Sequence, residues 1–292
     1  MSKFGKVALF LGFFWLLVCV TIIAMSLASF ISPEPYADSS PLGLVKIEGP
    51  IYDGRPAIKE LKKLAKSKNI KGIVLRVESP GGAVGAAQEI YAQLEHFRTD
   101  SFPVVVSFGN VAASGGYYAA LPAEMIFANP GTLTGSIGVI TQFMHGERLL
   151  DKIGVAATTV KSGDLKDAGS PYRAPQEHEI EYFKEVIDDT HEQFVEHVAQ
   201  WRKIDLDSLR KIADGRVMTG RMAVDYGLID TLGTMSDAVK WLSDRCGLDE
   251  VPFTLRTMKA PKPFVKELIE GIEGSLPQNI SGNLKILWQS FL

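Results

Sequence analysis

The chain is short of most side chains that carry metal or cofactor chemistry. Of its 292 residues only two are cysteines, Cys19 and Cys246. One lies in an apolar run and the other near the far end, so no disulfide framework is expected. The five histidines are scattered, with no HExxH and no paired spacing of the kind zinc uses. No metal is expected. There is no P-loop and no GxGxxG turn, which leaves nucleotide binding without support. A net charge of only −3 does not suggest a nucleic-acid partner. There is no strong internal repeat.

Charge is also missing from one long stretch. Residues 7–31 form an unbroken run of 25 residues without a charged side chain. As a helix the run is about 37 Å long, longer than the roughly 30 Å hydrocarbon core of a bilayer. Lys3 and Lys6 precede it, and Glu34 and Asp38 follow. The positive-inside bias then puts residues 1–6 in the cytoplasm and the main domain across the membrane. A cleaved signal peptide, with Ser26-Leu27-Ala28 as its site, is the competing reading. The run is longer than a typical signal h-region, which favours a retained anchor. Residues 32–41 are rich in Pro and Ser and read as a linker. About 250 residues remain, enough for a sizeable core.

In that remainder, short apolar runs alternate with helical patterns. Strands are expected at 42–47, 70–77, 103–108, 123–128 and 155–160, with an edge strand at 253–256. Helices are expected at 56–67, 83–97, 117–121, 147–153, 176–201, 206–213, 220–226 and 236–246. The lysines of 56–67 lie opposite Ile58, Leu61, Leu64 and Ala65 and read most simply as a solvated face. The stripe Ile180, Phe183, Ile187, Phe194, Val198 and Trp201 reads as core or subunit interface. This alternation argues an α/β domain over 42–256 with helices outside a largely parallel sheet.

One stretch stands out as a candidate site. Val111-Ala112-Ala113-Ser114-Gly115-Gly116-Tyr117-Tyr118 places a serine between small residues at an expected strand-to-helix turn. Such a turn exposes a hydroxyl near the positive end of a helix; the same residues also suit a tight packing turn. Two more glycine-bearing turns, Pro80-Gly81-Gly82 and Gly135-Ser136, lie beside apolar runs. Acyl transfer at a serine needs N–H donors for the oxyanion and a base. Gly115 and one of Gly81 and Gly82 are candidate donors. None of His96, His145, His178, His191 and His197 sits in a distinctive frame for a triad. A lysine serves as base when burial lowers its pKa. Lys161 and Lys166 both lie in one downstream stretch, and the residues alone do not choose between them.

These blocks carry a resemblance. Glu78-Ser79-Pro80-Gly81-Gly82, Ala112 to Tyr118, Thr134-Gly135-Ser136-Ile137-Gly138-Val139, Lys161 to Asp167, Ala213 to Val217 and Gly227 to Asp230 fall in one order and spacing. In them, from about Gly43 to Val251, the chain resembles the short form of the signal peptide peptidase A (SppA) family. That family comprises membrane-anchored serine peptidases with the Clp protease/crotonase fold. The resemblance implies a Ser-Lys dyad, with the nucleophile at Ser114 and the general base at Lys166. It implies a Lys-orienting hydroxyl at Ser136 and oxyanion N–H groups at Gly81 and Gly115. It further implies an endopeptidase for remnant signal peptides and other extended hydrophobic peptides, needing no cofactor, ATP or metal. A homo-oligomeric ring at the cell membrane is expected, with its catalytic domain on the periplasmic side. The Pro-Gly-Gly block also fits crotonase-like acyl-CoA enzymes, and a non-catalytic membrane scaffold is a further alternative. The tail at 257–292, ending in Leu284 to Leu292, is expected to be an amphipathic helix packed on the domain or a neighbour, or lying on the membrane or in a cleft of the oligomer.

Overall fold

The computed structural model describes residues 40–252 and 255–257. The expected anchor at 7–31, most of its linker and nearly all of the tail lie outside them. Among the described residues no helix is long and apolar enough to cross a membrane. Contacts divide the chain into one unit through Arg256 and a second from Thr257.

The first unit opens on three strands linked by helices: β1 (Leu42–Glu48), α1 (Arg55–Ala65), β2 (Gly72–Ser79), α2 (Val84–Thr99) and β3 (Val104–Ala113). The strands are parallel and in register, Leu42 opposite Gly72 and Ile73 opposite Val104. They are apolar on both faces, as a sheet covered on both sides requires. Leu42, Leu44, Val74 and Val105 pack on α8 (Met235–Arg245) through Ala238, Val239 and Leu242. The alternate residues Gly43 and Ile73 face Leu61 and Leu64 of α1, where a Cβ on Gly43 would meet Leu64 at 2.9 Å. Pro56 sits in the first turn of α1, where its missing N–H costs nothing.

The long strand β3 is where the fold departs from the sequence reading. The strand expected to end at Phe108 continues to Ala113. The register against β2 shifts between Val77 and Ser79. There the Glu78 carboxylate accepts from the backbone N–H of Asn110 (2.9 Å) and Val111 (3.2 Å). A side chain thus replaces the missing ladder partners. On its other edge β3 pairs first with β4 (Met125–Ala128) and then, higher up, with β5 (Leu133–Gly135). Short strands β6 (Val217–Thr219) and β7 (Thr231–Leu232) complete these two branches. Runs of two or three residues give no strand pattern in the sequence.

The helices α3 (Gly115–Ala120), α4 (Glu147–Ile153), α5 (Glu177–Arg202), α6 (Leu206–Arg210) and α7 (Gly220–Asp225) all appear where the patterning is helical. The side chains of Gln176 and Glu179 form a capping box at the start of α5. The strand expected at 155–160 is a correction. Those residues have no regular structure, and Val155 and Val160 are exposed. An apolar run becomes a strand only where an edge exists to pair with it. A two-residue strand β8 (Arg256–Thr257) overlaps the edge strand expected at 253–256 only at Arg256, while Phe253 and Thr254 lie outside the described residues.

Candidate active site

β3 delivers Ser114 to the C-terminal edge of the sheet, and α3 starts at the next residue. Ser114 has φ 50° and ψ −123°, a backbone conformation that non-glycine residues rarely hold. Two hydrogen bonds keep it there. Its N–H donates to the Gly135 carbonyl (2.9 Å), and its carbonyl accepts from the Tyr118 N–H (2.9 Å). Its hydroxyl makes no hydrogen bond among the described residues. Strand β5, running alongside, ends in the same way: Ser136 follows Gly135 with φ 51°, and its N–H donates to the Arg216 carbonyl (2.9 Å). The Thr134 hydroxyl donates to the Ala112 carbonyl (2.7 Å), tying the two strands just below both serines.

The Pro-Gly-Gly turn after β2 lies directly against Ser114. A Cβ on Gly81 (φ 103°) would meet the Gly115 nitrogen at 2.8 Å and the Ser114 Cβ at 2.9 Å. Only glycine permits that approach. The Gly81 N–H is engaged, donating to the buried Ser79 hydroxyl (3.1 Å). The N–H groups of Gly82 and Gly115 have no partner among the described residues. Both glycines line a small recess with Ser114, walled by Val84 and Ala87 of α2, Tyr118 of α3, Gly138, Val139, and Thr190 and Phe194 of α5. The recess is therefore apolar, with a hydroxyl and two free N–H donors at its rim.

A wider groove continues from it, sharing Val84, Val139 and Thr190 and extending to Ile140, Thr141 and Phe183. The chain from Gly138 to His145 has no regular structure and makes no backbone hydrogen bond among the described residues. Within it, Gly138 to Thr141 line the recess and the groove and leave their backbone N–H and C=O groups unpaired among the described residues.

The lysines fall apart in role. Lys161 is fixed: its ammonium donates to the Asp167 carboxylate (2.6 Å) and to the Asp164 carbonyl (2.8 Å). Arg173 holds the other side of Asp167 (Nε to Oδ2, 3.0 Å) and is bidentate on Glu179, whose side chain is fully buried. The Arg173 guanidinium, then the Lys161 ammonium, hold the Asp167 carboxyl far below its usual range. Arg173 also lowers Glu179, to about 2. Between these anchors runs a 3-10 turn, Asp164–Asp167. Lys166 rides on that turn, exposed, with no side-chain partner among the described residues. It does not line the recess of Ser114, and neither does Ser136.

Histidine is likewise absent from the recess walls. His197 is one step behind: its Nδ1 pairs with the Tyr118 hydroxyl (2.5 Å). Among the described residues no cluster of three or more His, Cys, Asp or Glu is placed to hold a metal ion.

Against known families, the profile of peptidase family S49 matches residues 96–249, more than half of the chain. The chain belongs to peptidase family S49. A Clp protease profile also matches residues 45–130, and this S49 chain is a serine endopeptidase with a Clp protease-like α/β fold. It is 40% identical over 253 residues to slr0021 of Synechocystis sp., named as a candidate protease, covering 86% of this chain and 90% of that one. It is 39% identical over 188 residues to a candidate signal peptide peptidase SppA of Enterococcus faecium, covering 64% of this chain and 55% of that one. Protease 4 of Haemophilus influenzae is 33% identical over 217 residues, which is 70% of this chain but 35% of that protein. Among solved structures, a ClpP1 mutant from Listeria monocytogenes aligns at 20% identity with a TM-score of 0.46, over 67% of this chain and 93% of that chain.

Sequence reasoning does not find the α5 wall of the recess in this S49 chain. Thr190 and Phe194 are four residues apart and so share a helix face, but the apolar stripe marks Phe194 only as core or interface. Nor does the sequence show that Ser79, rather than a backbone group, takes up the first glycine N–H.

Proposed function

We propose that this S49 peptidase is a membrane-anchored serine endopeptidase with Ser114 as nucleophile and Lys166 as general base. It cleaves remnant signal peptides and other extended hydrophobic peptides. The observation that carries the reading is the Ser114 turn, a strained serine with an unpartnered hydroxyl beside two free N–H donors and an apolar recess.

The catalytic sequence follows from those parts. A peptide lies extended in the groove and pairs with the free backbone of Gly138 to Thr141, as a strand added to an edge. An apolar side chain of the peptide enters the recess against Ala87, Tyr118 and Phe194. Lys166, in its neutral form, takes the Ser114 proton, and the oxygen attacks the peptide carbonyl. The N–H groups of Gly82 and Gly115 hold the oxyanion. This moves one expected donor from Gly81 to Gly82, because the Gly81 N–H already serves Ser79. The leaving amine departs with a proton from Lys166. Water, deprotonated by the same lysine, then releases the acyl group. Ser136 is the hydroxyl that orients Lys166. Lys161 is the structural lysine, since two acceptors hold its ammonium in place.

Lys166 is exposed within one protomer, and so are many apolar side chains in the stretch before it. Ile140, Met144, Leu149, Ile153 and Val160 are all more than 60% exposed. Such a concentration of exposed apolar side chains marks a surface that another chain covers. A homo-oligomeric ring supplies that cover and brings the lysine turn to a serine site. The apolar run at 7–31 tethers the assembly to the membrane that is the source of its substrates.

Hydrolysis of a hydrophobic reporter peptide tests the reading. Ser114→Ala and Lys166→Ala each reduce kcat by about a thousandfold or more, while Lys161→Met keeps a measurable rate. Activity returning when the two inactive variants are mixed and reassembled supports a dyad shared between copies. Wild-type rates in both Ser114→Ala and Lys166→Ala refute the mechanism.

A further inference from the structure

The lysines of α1 have no part in the peptidase chemistry. Six lysines fall between residues 59 and 71: Lys59, Lys62, Lys63, Lys66, Lys68 and Lys71. All six are exposed, and none has a carboxylate partner among the described residues. Glu60 is the single acidic residue between Gly54 and Val77. A solvated helix face needs no such excess of one sign, and salt-bridge partners at helical spacing normally relieve it.

Their position is more informative than their number. α1 runs back along the sheet from the end of β1 to the start of β2, so its last turn and the loop after it lie at the N-terminal edge of the strands. Lys62, Lys63, Lys66, Lys68 and Lys71 gather at that edge. The chain enters the domain at the same place: the Lys71 N–H donates to the Pro41 carbonyl (2.7 Å). In the sequence, Ile31, the last residue of the charge-free run, is nine residues from Ser40, a reach of at most about 30 Å. Among the described residues, carboxylates from the neighbouring elements do not neutralise the patch. Glu124 is held by Arg98 and Arg245, and Asp100 lies beside His96. Asp244, Asp249 and Glu250 belong to α8 and the residues after it, on the other face of the sheet.

We propose that this lysine edge docks on anionic phospholipid headgroups of the membrane that holds the N-terminal segment. The inference rests on the membrane-anchored reading of the chain. It adds an orientation: Ser114 lies at the opposite edge of the same strands. Gly72 and Ser79 of β2 mark the two levels, seven residues or about 23 Å apart. The catalytic edge therefore faces away from the lipid, and a peptide must leave the bilayer before it is cut. Each lysine within a Debye length of the surface, about 10 Å at 0.1 M salt, favours the docked orientation by roughly fivefold.

The test uses the full chain in lipid nanodiscs of phosphatidylcholine alone or of phosphatidylcholine with phosphatidylglycerol. A membrane-impermeant acetylating reagent is applied, and each lysine is followed by mass spectrometry. Lys62, Lys63, Lys66, Lys68 and Lys71 are labelled about tenfold more slowly in the anionic discs, and high salt removes the difference. Lys203, exposed elsewhere, is labelled equally in both. Equal labelling of the α1 lysines in both discs overturns the docking. So does protection by duplex DNA without protection by the anionic discs. Alkaline carbonate washing of membranes reads the anchor separately. A chain that washes off has no spanning anchor and takes the docking with it; a retained chain with unprotected lysines refutes the docking alone.

Discussion

Replacing Gly81 by alanine probes the closest approach in the site. The new methyl would lie 2.8 Å from the Gly115 nitrogen, 2.9 Å from the Ser114 Cβ and 3.0 Å from the Ala113 carbonyl oxygen. None of these is the end of a flexible side chain, so the turn or the serine must move. The residue also keeps φ 103°, which a Cβ disfavours by about 1–3 kcal/mol. Overpacking adds about 1–3 kcal/mol, so the expected loss is about 2–6 kcal/mol. A domain with a stability of about 5–15 kcal/mol still folds. Because the displaced groups are the nucleophile and the Gly115 N–H, kcat falls by about 100-fold or more. Urea unfolding gives the first quantity and peptide hydrolysis the second. Gly131, where a Cβ meets open space, is the control, and Gly131→Ala changes stability by less than about 0.5 kcal/mol. If Gly81→Ala matches that control in both stability and kcat, the turn does not bear on Ser114 and its place against the nucleophile is refuted.

Phe194 is 5% exposed and packs on Tyr118 with ring centroids 4.9 Å apart. Phe194→Ala therefore costs about 3–5 kcal/mol in chemical unfolding, and peptide libraries should show cleavage shifting toward bulkier residues at the recess. Unchanged preference would place the recess outside the substrate path. The Arg173 bridge makes stability depend on acid. Glu179 titrates at about 2 in the fold against 4.5 ordinarily, and Asp167 is also lowered. Their contribution is present above the ordinary carboxylate range and is lost as pH falls through the folded values. Melting temperature measured from neutral pH down to strongly acid conditions should decline less steeply in Glu179→Gln than in wild type; parallel curves would count against the bridge. Arg173→Ala should lower kcat with little change in KM, because it frees the turn that carries Lys166 while leaving the groove intact; equal changes in both would point to a general loss of structure.

Much of the architecture can be read from residue order because its causes are local. The alternation of apolar runs with amphipathic helices and the small-residue turn at Ser114 are both short-range patterns. So is the grouping of glycine turns that a close backbone approach demands. The extension of β3 is hidden because its partners, the three-residue strand β5 and the Glu78 side chain, are brought beside it only by folding. The run at 155–160 has strand composition, but composition cannot supply an edge to pair with. The choice between Lys161 and Lys166 shows the same limit. Both sit in one polar stretch, and only the folded contacts give Lys161 two acceptors and leave Lys166 unengaged. The sequence by itself determined which residue types meet at strand ends, because backbone sterics act between neighbours. Tertiary structure alone decided which N–H is free, which lysine is tied, and which helix face walls the recess, since each depends on groups that become neighbours only on folding.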